Sequence, residues 1–202
     1  PQLPLAQLTI AQFLEAVGAR TPTPGGGAVA SAVGAVAAAL ARMVVQYSLG
    51  KKNLAEHQPA LEEAHAALMR AGVVLLGLAD EDAEAYGRVN ELSKLPAEDP
   101  RRNTELPGAM DDAVRVPTAV VATAAEMLRL LDDLVTKSNR HLRSDLAIAA
   151  VLAEATARAG AWNVWINAQQ FDEEKKAAVW RPCERMTAGC RMIAQRIEDA
   201  CR

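Results

Sequence analysis

Apolar residues recur along this chain at spacings of three and four, and no stretch alternates apolar with polar residues as a strand would. Thr9 and Gln12 have the capping-box spacing that starts a short helix, and the pattern carries that helix to Gly18. The stretch TPTPGGG, Thr21 to Gly27, breaks the pattern and runs directly into the most alanine-rich segment, Gly25 to Ala41. Longer helical patterns follow over Leu54–Lys94, Pro107–Lys137, Ser144–Gln170 and Asp172–Arg202. Pro117 and Pro182 fall inside two of them and are expected to kink or interrupt those helices. Between Lys94 and the next helix, LPAEDPRRNTELPG reads as a polar, proline-rich, mobile loop. The pattern predicts one all-α domain over residues 1–202, a bundle of long helices without internal repeats.

The alanine-rich segment reaches the lower limit for a membrane span, about 17 residues, but Gly and Ala stand where a span carries Leu, Ile and Phe. A helix apolar all round and rich in small side chains fits the centre of a bundle, so no membrane is expected. The glycines before it have two readings. Pro24, Gly25, Gly26 and Gly27 either open the helix start to a ligand, whose negative or electron-rich edge meets free amides, or let neighbouring helices cross closely.

Composition narrows the partners. The 202 residues fit one domain, and 22 Lys and Arg against 25 Asp and Glu give a net charge of -3, with no general attraction for nucleic acid. Aromatics at 3% do not supply a base-stacking surface. The cysteines, Cys183, Cys190 and Cys201, are odd in number and lack paired spacing, which argues against a disulfide framework or a zinc site and for a reducing compartment. No basic segment followed by an apolar core opens the chain, so a cytoplasmic location is expected. His57, His65 and His141 have no metal-ligand spacing, and no GxSxG string marks a nucleophile.

Several polar residues interrupt the helical logic. Asp80, Glu81, Asp82 and Glu84 crowd one helical segment, with Tyr86 one turn from Asp82; they form a solvated acidic face or part of a site. Lys51 and Lys52 follow the alanine helix and either complement its negative end or hold an anion. Ser144 reads as an N-cap with Asp145 in the first turn behind it, a capping pair or a chemical one. Asn163 and Asn167 lie one turn apart among Trp162, Trp165 and Ile166, where their amides need partners from other helices or from a ligand.

Taken in order, TPTPGGGAVAS, GKKN, DEDAEAY, KSN, SDLAIAA and NVWIN resemble the cyclodeaminase and methenyltetrahydrofolate cyclohydrolase family, which includes the C-terminal half of formiminotransferase-cyclodeaminases. Where family members often have KGN and SDxG, this chain has Ser138 and Ala147. The resemblance implies a dimeric helical bundle that binds tetrahydrofolate derivatives, with no metal and no cofactor beyond the folate. By position it makes Asp145, Asp82 and Lys52 the catalytic residues, Asp145 as base with Asp82 as partner. Pro24, Gly25, Gly26, Gly27, Lys51, Tyr86, Asn139, Ser144, Asn163 and Asn167 become substrate-binding residues. Lys52 with Lys51 either donates a proton or holds the folate glutamate. The reaction implied is hydrolysis of 5,10-methenyltetrahydrofolate to 10-formyltetrahydrofolate, with ammonia-releasing cyclisation of the formimidoyl compound as the alternative. A folate-binding bundle without turnover and a purely structural dimer are the readings from other classes.

Overall fold

Six helices account for the fold of this computed structural model, which describes residues 3–202. They are α1 (Ile10–Gly18), α2 (Gly26–Gln46), α3 (Gln58–Ser93), α4 (Pro100–Lys137), α5 (Arg143–Ala168) and α6 (Glu173–Cys201). No strand occurs among the described residues, so the all-α expectation holds. Pro1 and Gln2, which the single-domain reading includes, lie outside the described residues.

The alanine-rich segment is α2, and it is central because its side chains are small. Gly27, Ala30, Gly34, Ala37, Ala38 and Ala41 are buried where α2 packs between α3 and α5. The bulk comes from the neighbours: Leu61, Leu68 and Leu75 of α3 and Leu128, Leu131 and Leu134 of α4 are fully buried. Leucine ridges against an alanine and glycine surface bring helix axes close and exclude water over a large apolar area. A side chain at Gly34 would meet Thr156 Cγ2 of α5 at 2.8 Å and Leu75 Cδ1 of α3 at 3.0 Å. Both pairs of helices run antiparallel: Gly27 faces Asp82 and Gly34 faces Leu75 on α3, while Gly26 faces Asn163 and Gly34 faces Thr156 on α5. By length and hydropathy α2 matches a membrane span, yet half of it is buried inside the bundle.

The capping box of Thr9 and Gln12 forms as its spacing predicts. Three expectations need correction. The supposed loop after Lys94 is mostly helix: Asp99 accepts from the Arg101 N–H at 2.8 Å as an N-cap and Pro100 opens α4, where its missing N–H costs nothing. Pro117 and Pro182 do not interrupt their helices. Ser144 is not an N-cap, because the 3-10 turn Arg140–Leu142 feeds straight into α5, which begins at Arg143.

Pro117 removes the N–H that would bond to the Ala113 carbonyl one turn back. That carbonyl accepts instead from Asn167 Nδ2 of α5, at 2.6 Å. Asn167 therefore repairs a defect that proline makes in a neighbouring helix.

The packing at Gly34 yields a paired prediction. Gly34→Ala places a methyl against two buried side chains and should destabilise by about 1–2 kcal/mol net of its better helix propensity, lowering Tm by roughly 2–8 °C. Gly72→Ala on α3, where the nearest atom is Ala38 Cβ at 3.8 Å, should be neutral or raise Tm. Thermal melts of the two variants against the parent check both signs.

Candidate active site

No side chain of its own caps the N-terminus of α2. Gly25, in an extended conformation, is the N-cap residue, so the first-turn amides need outside acceptors. Asp82 of α3 stands at that turn, with the Ala28 amide close enough to favour the charged form of its carboxylate. The carboxylate occupies the space of the side chain that Gly27 lacks; a Cβ built there would overlap its carboxyl carbon and both oxygens. Of the three glycines, Gly27 is thus the one this contact requires. Burial pushes the Asp82 carboxyl above the usual carboxylate range, with the Ala28 N–H opposing it more weakly. A half-buried carboxyl that takes and releases a proton closer to neutrality than usual is suited to acid–base work.

Asn163 of α5 stands beside this carboxylate site. Its Oδ1 is 3.7 Å from where a Cβ on Gly26 would be, and its Nδ2 reaches only the Ala159 carbonyl of its own helix, at 3.5 Å. The amide is therefore available, whereas that of Asn167, one turn on, is committed to α4. Tyr86 lies one turn beyond Asp82 on α3 and is half exposed. Pro24, preceded by a cis peptide bond, lines a cavity of about 420 Å³ between the N-terminal arm and α3, together with Leu5, Phe13, Ala28 and Ala83. Asp82 and Asn163 are not among the residues that line it.

The remaining residues chosen from sequence lie elsewhere. Lys51 starts the 3-10 turn Lys52–His57 that follows α2, half-buried, with Lys52 exposed beside it. The Asn139 N–H donates to Ser48 Oγ at 2.9 Å, and that hydroxyl donates to the Val44 carbonyl at 2.7 Å, tying the end of α2 to the entry of α5. The Asn139 side chain accepts from the His141 N–H at 3.2 Å. Ser144 is exposed, and Asp145 is half-buried in the first turn of α5. The antiparallel register set by Gly26–Asn163 and Gly34–Thr156, continued along both helices, puts Asp145 level with the last turn of α2.

The chain therefore holds two groups at opposite ends of a 21-residue helix, about 30 Å apart. Gly25, Gly26, Gly27, Asp82, Tyr86 and Asn163 form one; Lys51, Lys52, Asn139, Ser144 and Asp145 form the other. Ser48, fully buried between the second group and α2, escaped the sequence reading because a lone serine near a helix end has no distinguishing spacing. Ser31, one turn after Gly27, is likewise buried, and its hydroxyl has no hydrogen-bond partner. Among the described residues, no three His, Cys, Asp or Glu side chains are grouped to hold a metal ion.

Comparison with known proteins places this arrangement. The family model of formiminotransferase-cyclodeaminase matches residues 9–184. A methenyltetrahydrofolate cyclohydrolase of Methylorubrum extorquens is 32% identical over 169 residues, which cover 82% of this chain and 81% of that protein. Formimidoyltransferase-cyclodeaminase of Mus musculus is 32% identical over 178 residues, and the chain spans about a third (33%) of its length. The crystal structure of a formiminotetrahydrofolate cyclodeaminase from Thermotoga maritima superposes with a TM-score of 0.89 at 32% identity, covering 96% of both chains. With most of its length inside the family match, the chain belongs to the formiminotransferase-cyclodeaminase family.

Proposed function

We propose that this chain hydrolyses 5,10-methenyltetrahydrofolate to 10-formyltetrahydrofolate, reversibly, as a cytoplasmic homodimer needing no cofactor beyond the folate. The observation that carries the reading is the Asp82 carboxyl, raised by burial and seated on the first turn of α2, with Asn163 of α5 beside that turn. In the substrate the carbon bridging N5 and N10 is cationic. A carboxylate beside it stabilises that charge and takes a proton from the attacking water as oxygen bonds to carbon. The tetrahedral adduct then opens: the bond from carbon to N5 breaks, N5 takes a proton, and the hydroxyl proton leaves as the formyl carbonyl forms. Asp82, rather than Asp145, is the base in this reading, because its carboxylate fills the space beside Gly27 at the start of α2, against the glycine turn that would meet the ligand.

The second group reaches this chemistry from another protomer. Val36, the middle residue of α2, is 59% exposed, and Met69, Val73 and Val74 of α3 are also uncovered. The amphipathic α1 buries none of its residues and leaves Ile10, Leu14 and Val17 on its surface. A twofold axis crossing α2 near Val36 would cover such a face and reverse one copy against the other. The Asp82 end of one protomer then lies level with the partner subunit's Lys51, Lys52 and Asp145. In that arrangement a lysine donates the proton to the departing nitrogen.

The whole-chain likeness to the Thermotoga cyclodeaminase favours a second reading, cyclisation of 5-formimidoyltetrahydrofolate. There N10 attacks the formimidoyl carbon, and ammonia leaves from a tetrahedral centre in the same position. The likeness to the Methylorubrum cyclohydrolase, over four fifths of that protein's length, favours hydrolysis. Following methenyl absorbance and ammonia release with the same preparation separates them. Hydrolysis should have the larger kcat/KM, and a tenfold excess for ammonia release, about 1.4 kcal/mol of transition-state preference, reverses the assignment.

Asp82→Asn should lower kcat by roughly 100-fold or more while the protein stays folded. Its stability should move the other way. Burial raises the carboxyl's folded pKa above its unfolded value, so stability is highest below the unfolded value and is lost as pH rises through the folded one. The Asn variant should therefore melt higher than the parent at pH 7, with the gap closing as pH falls toward about 4. A variant that melts lower at pH 7 makes Asp82 a structural cap first.

Mixing two inactive variants tests the shared site. Asp82→Asn and Lys51→Ala/Lys52→Ala proteins, unfolded and refolded together, should recover about one quarter of parental activity, because half of the dimers are mixed and each mixed dimer has one intact site. No recovery means that both groups act within one protomer.

A further inference from the structure

All three tryptophans of this chain, Trp162, Trp165 and Trp180, line one groove of about 610 Å³ between α5 and α6. For a sequence with 3% aromatics that is a concentration, and it is not core packing, since Trp162 is 67% exposed. The rings of Trp162 and Trp165 meet edge to face, with centroids 5.8 Å apart. The other end of the groove is cationic. Arg158 of α5 and Arg191 of α6 line it, and Glu154 beneath holds both guanidinium groups, at 3.2 Å and 3.6 Å. Glu154 is largely buried, whereas both arginines are more than half exposed, so their outer N–H groups stay free for an incoming anion. Arg158 and Trp165 are two helical turns apart, about 10 Å.

An aromatic platform joined to a fixed pair of guanidinium groups at that distance fits a ring with carboxylates a few bonds away. We propose that this groove binds the 4-aminobenzoyl-glutamate portion of the folate. The benzoyl ring stacks on the tryptophans, and the glutamate carboxylates pair with Arg158 and Arg191. Glu184, midway along the groove, accepts from the amide N–H that joins ring to glutamate. The reading rests on the proposed folate chemistry, and the two sites lie at the same level of α5, where Trp162 directly precedes Asn163. With the tail held by arginines, the lysine pair is left for proton donation.

The experiment uses the intact protein and 4-aminobenzoyl-glutamate itself, so its outcome does not depend on turnover. The fragment should quench tryptophan fluorescence saturably, and its diglutamate form should bind more tightly at low salt. Arg158→Gln with Arg191→Gln removes both charges and should weaken fragment binding at least tenfold. The same change should raise KM for the folate at least tenfold with kcat moving less than twofold. Trp162→Ala, at an exposed position, should weaken the fragment without lowering Tm. No quenching in the parent protein, or equal affinity in the double arginine variant, overturns the proposal even if the enzyme turns over folates. A Trp162→Ala protein with altered oligomeric state and no fragment binding by the parent assigns the groove to contact between copies and overturns it as well. Fragment binding with the expected losses supports it even if no folate is turned over, a result that would remove only the assigned reaction.

Discussion

The Asp82 carboxylate rests on the first turn of α2 only because residue 27 has no side chain, and much else in the bundle is spaced from that contact. It fixes the register of α2 against α3, so Gly34, two turns along, arrives opposite Leu75 and Thr156 with no space for a methyl. Helices held that closely admit only small residues on the inner face of α2 from Gly27 to Ala41, and much of the core volume comes from leucines on α3 and α4. The same closeness withdraws Asp82 from water and raises its carboxyl. Packing and chemistry are two effects of one missing Cβ.

A central helix that is capped by its neighbours has two ends to serve. The positive end of α2 takes the Asp82 carboxylate, and the negative end is followed by Lys51 and Lys52. Both are favourable placements against a helix dipole, and a 21-residue helix separates them by about 30 Å. An elongated antiparallel bundle thus disperses polar residues that a compact α/β fold would gather at one edge. In the proposed dimer a second, reversed copy would return them to one place, with the uncovered valine at the midpoint of α2 on the face it covers.

Local chemistry was readable from the sequence, and distant pairing was not. The Thr9 capping box, the long helical periods and the small-residue character of α2 depend on neighbours within a few positions, and the structure follows them. Asp99–Pro100 was an equally local start signal, obscured by surrounding proline and polar residues that pointed to a loop. The contact between Gly27 and Asp82 spans 55 positions and depends on a register that no periodicity specifies. The identity of the site residues came from the family resemblance, and their division into two groups became visible only with the helices in place.

The two asparagines of α5 show how such a division is decided. Asn163 and Asn167 are one turn apart, with similar apolar neighbours in sequence, and their spacing alone assigns them one role. Pro117 separates them. By leaving the Ala113 carbonyl without its helical donor, it creates a buried acceptor whose neglect costs about 1–3 kcal/mol, and Asn167 is the side chain within reach. Asn163 meets a glycine instead of a carbonyl, and its amide reaches only the Ala159 carbonyl of its own helix, at 3.5 Å. Whether a polar residue serves structure or ligand is settled by what the facing helix lacks, and here one proline supplies that difference.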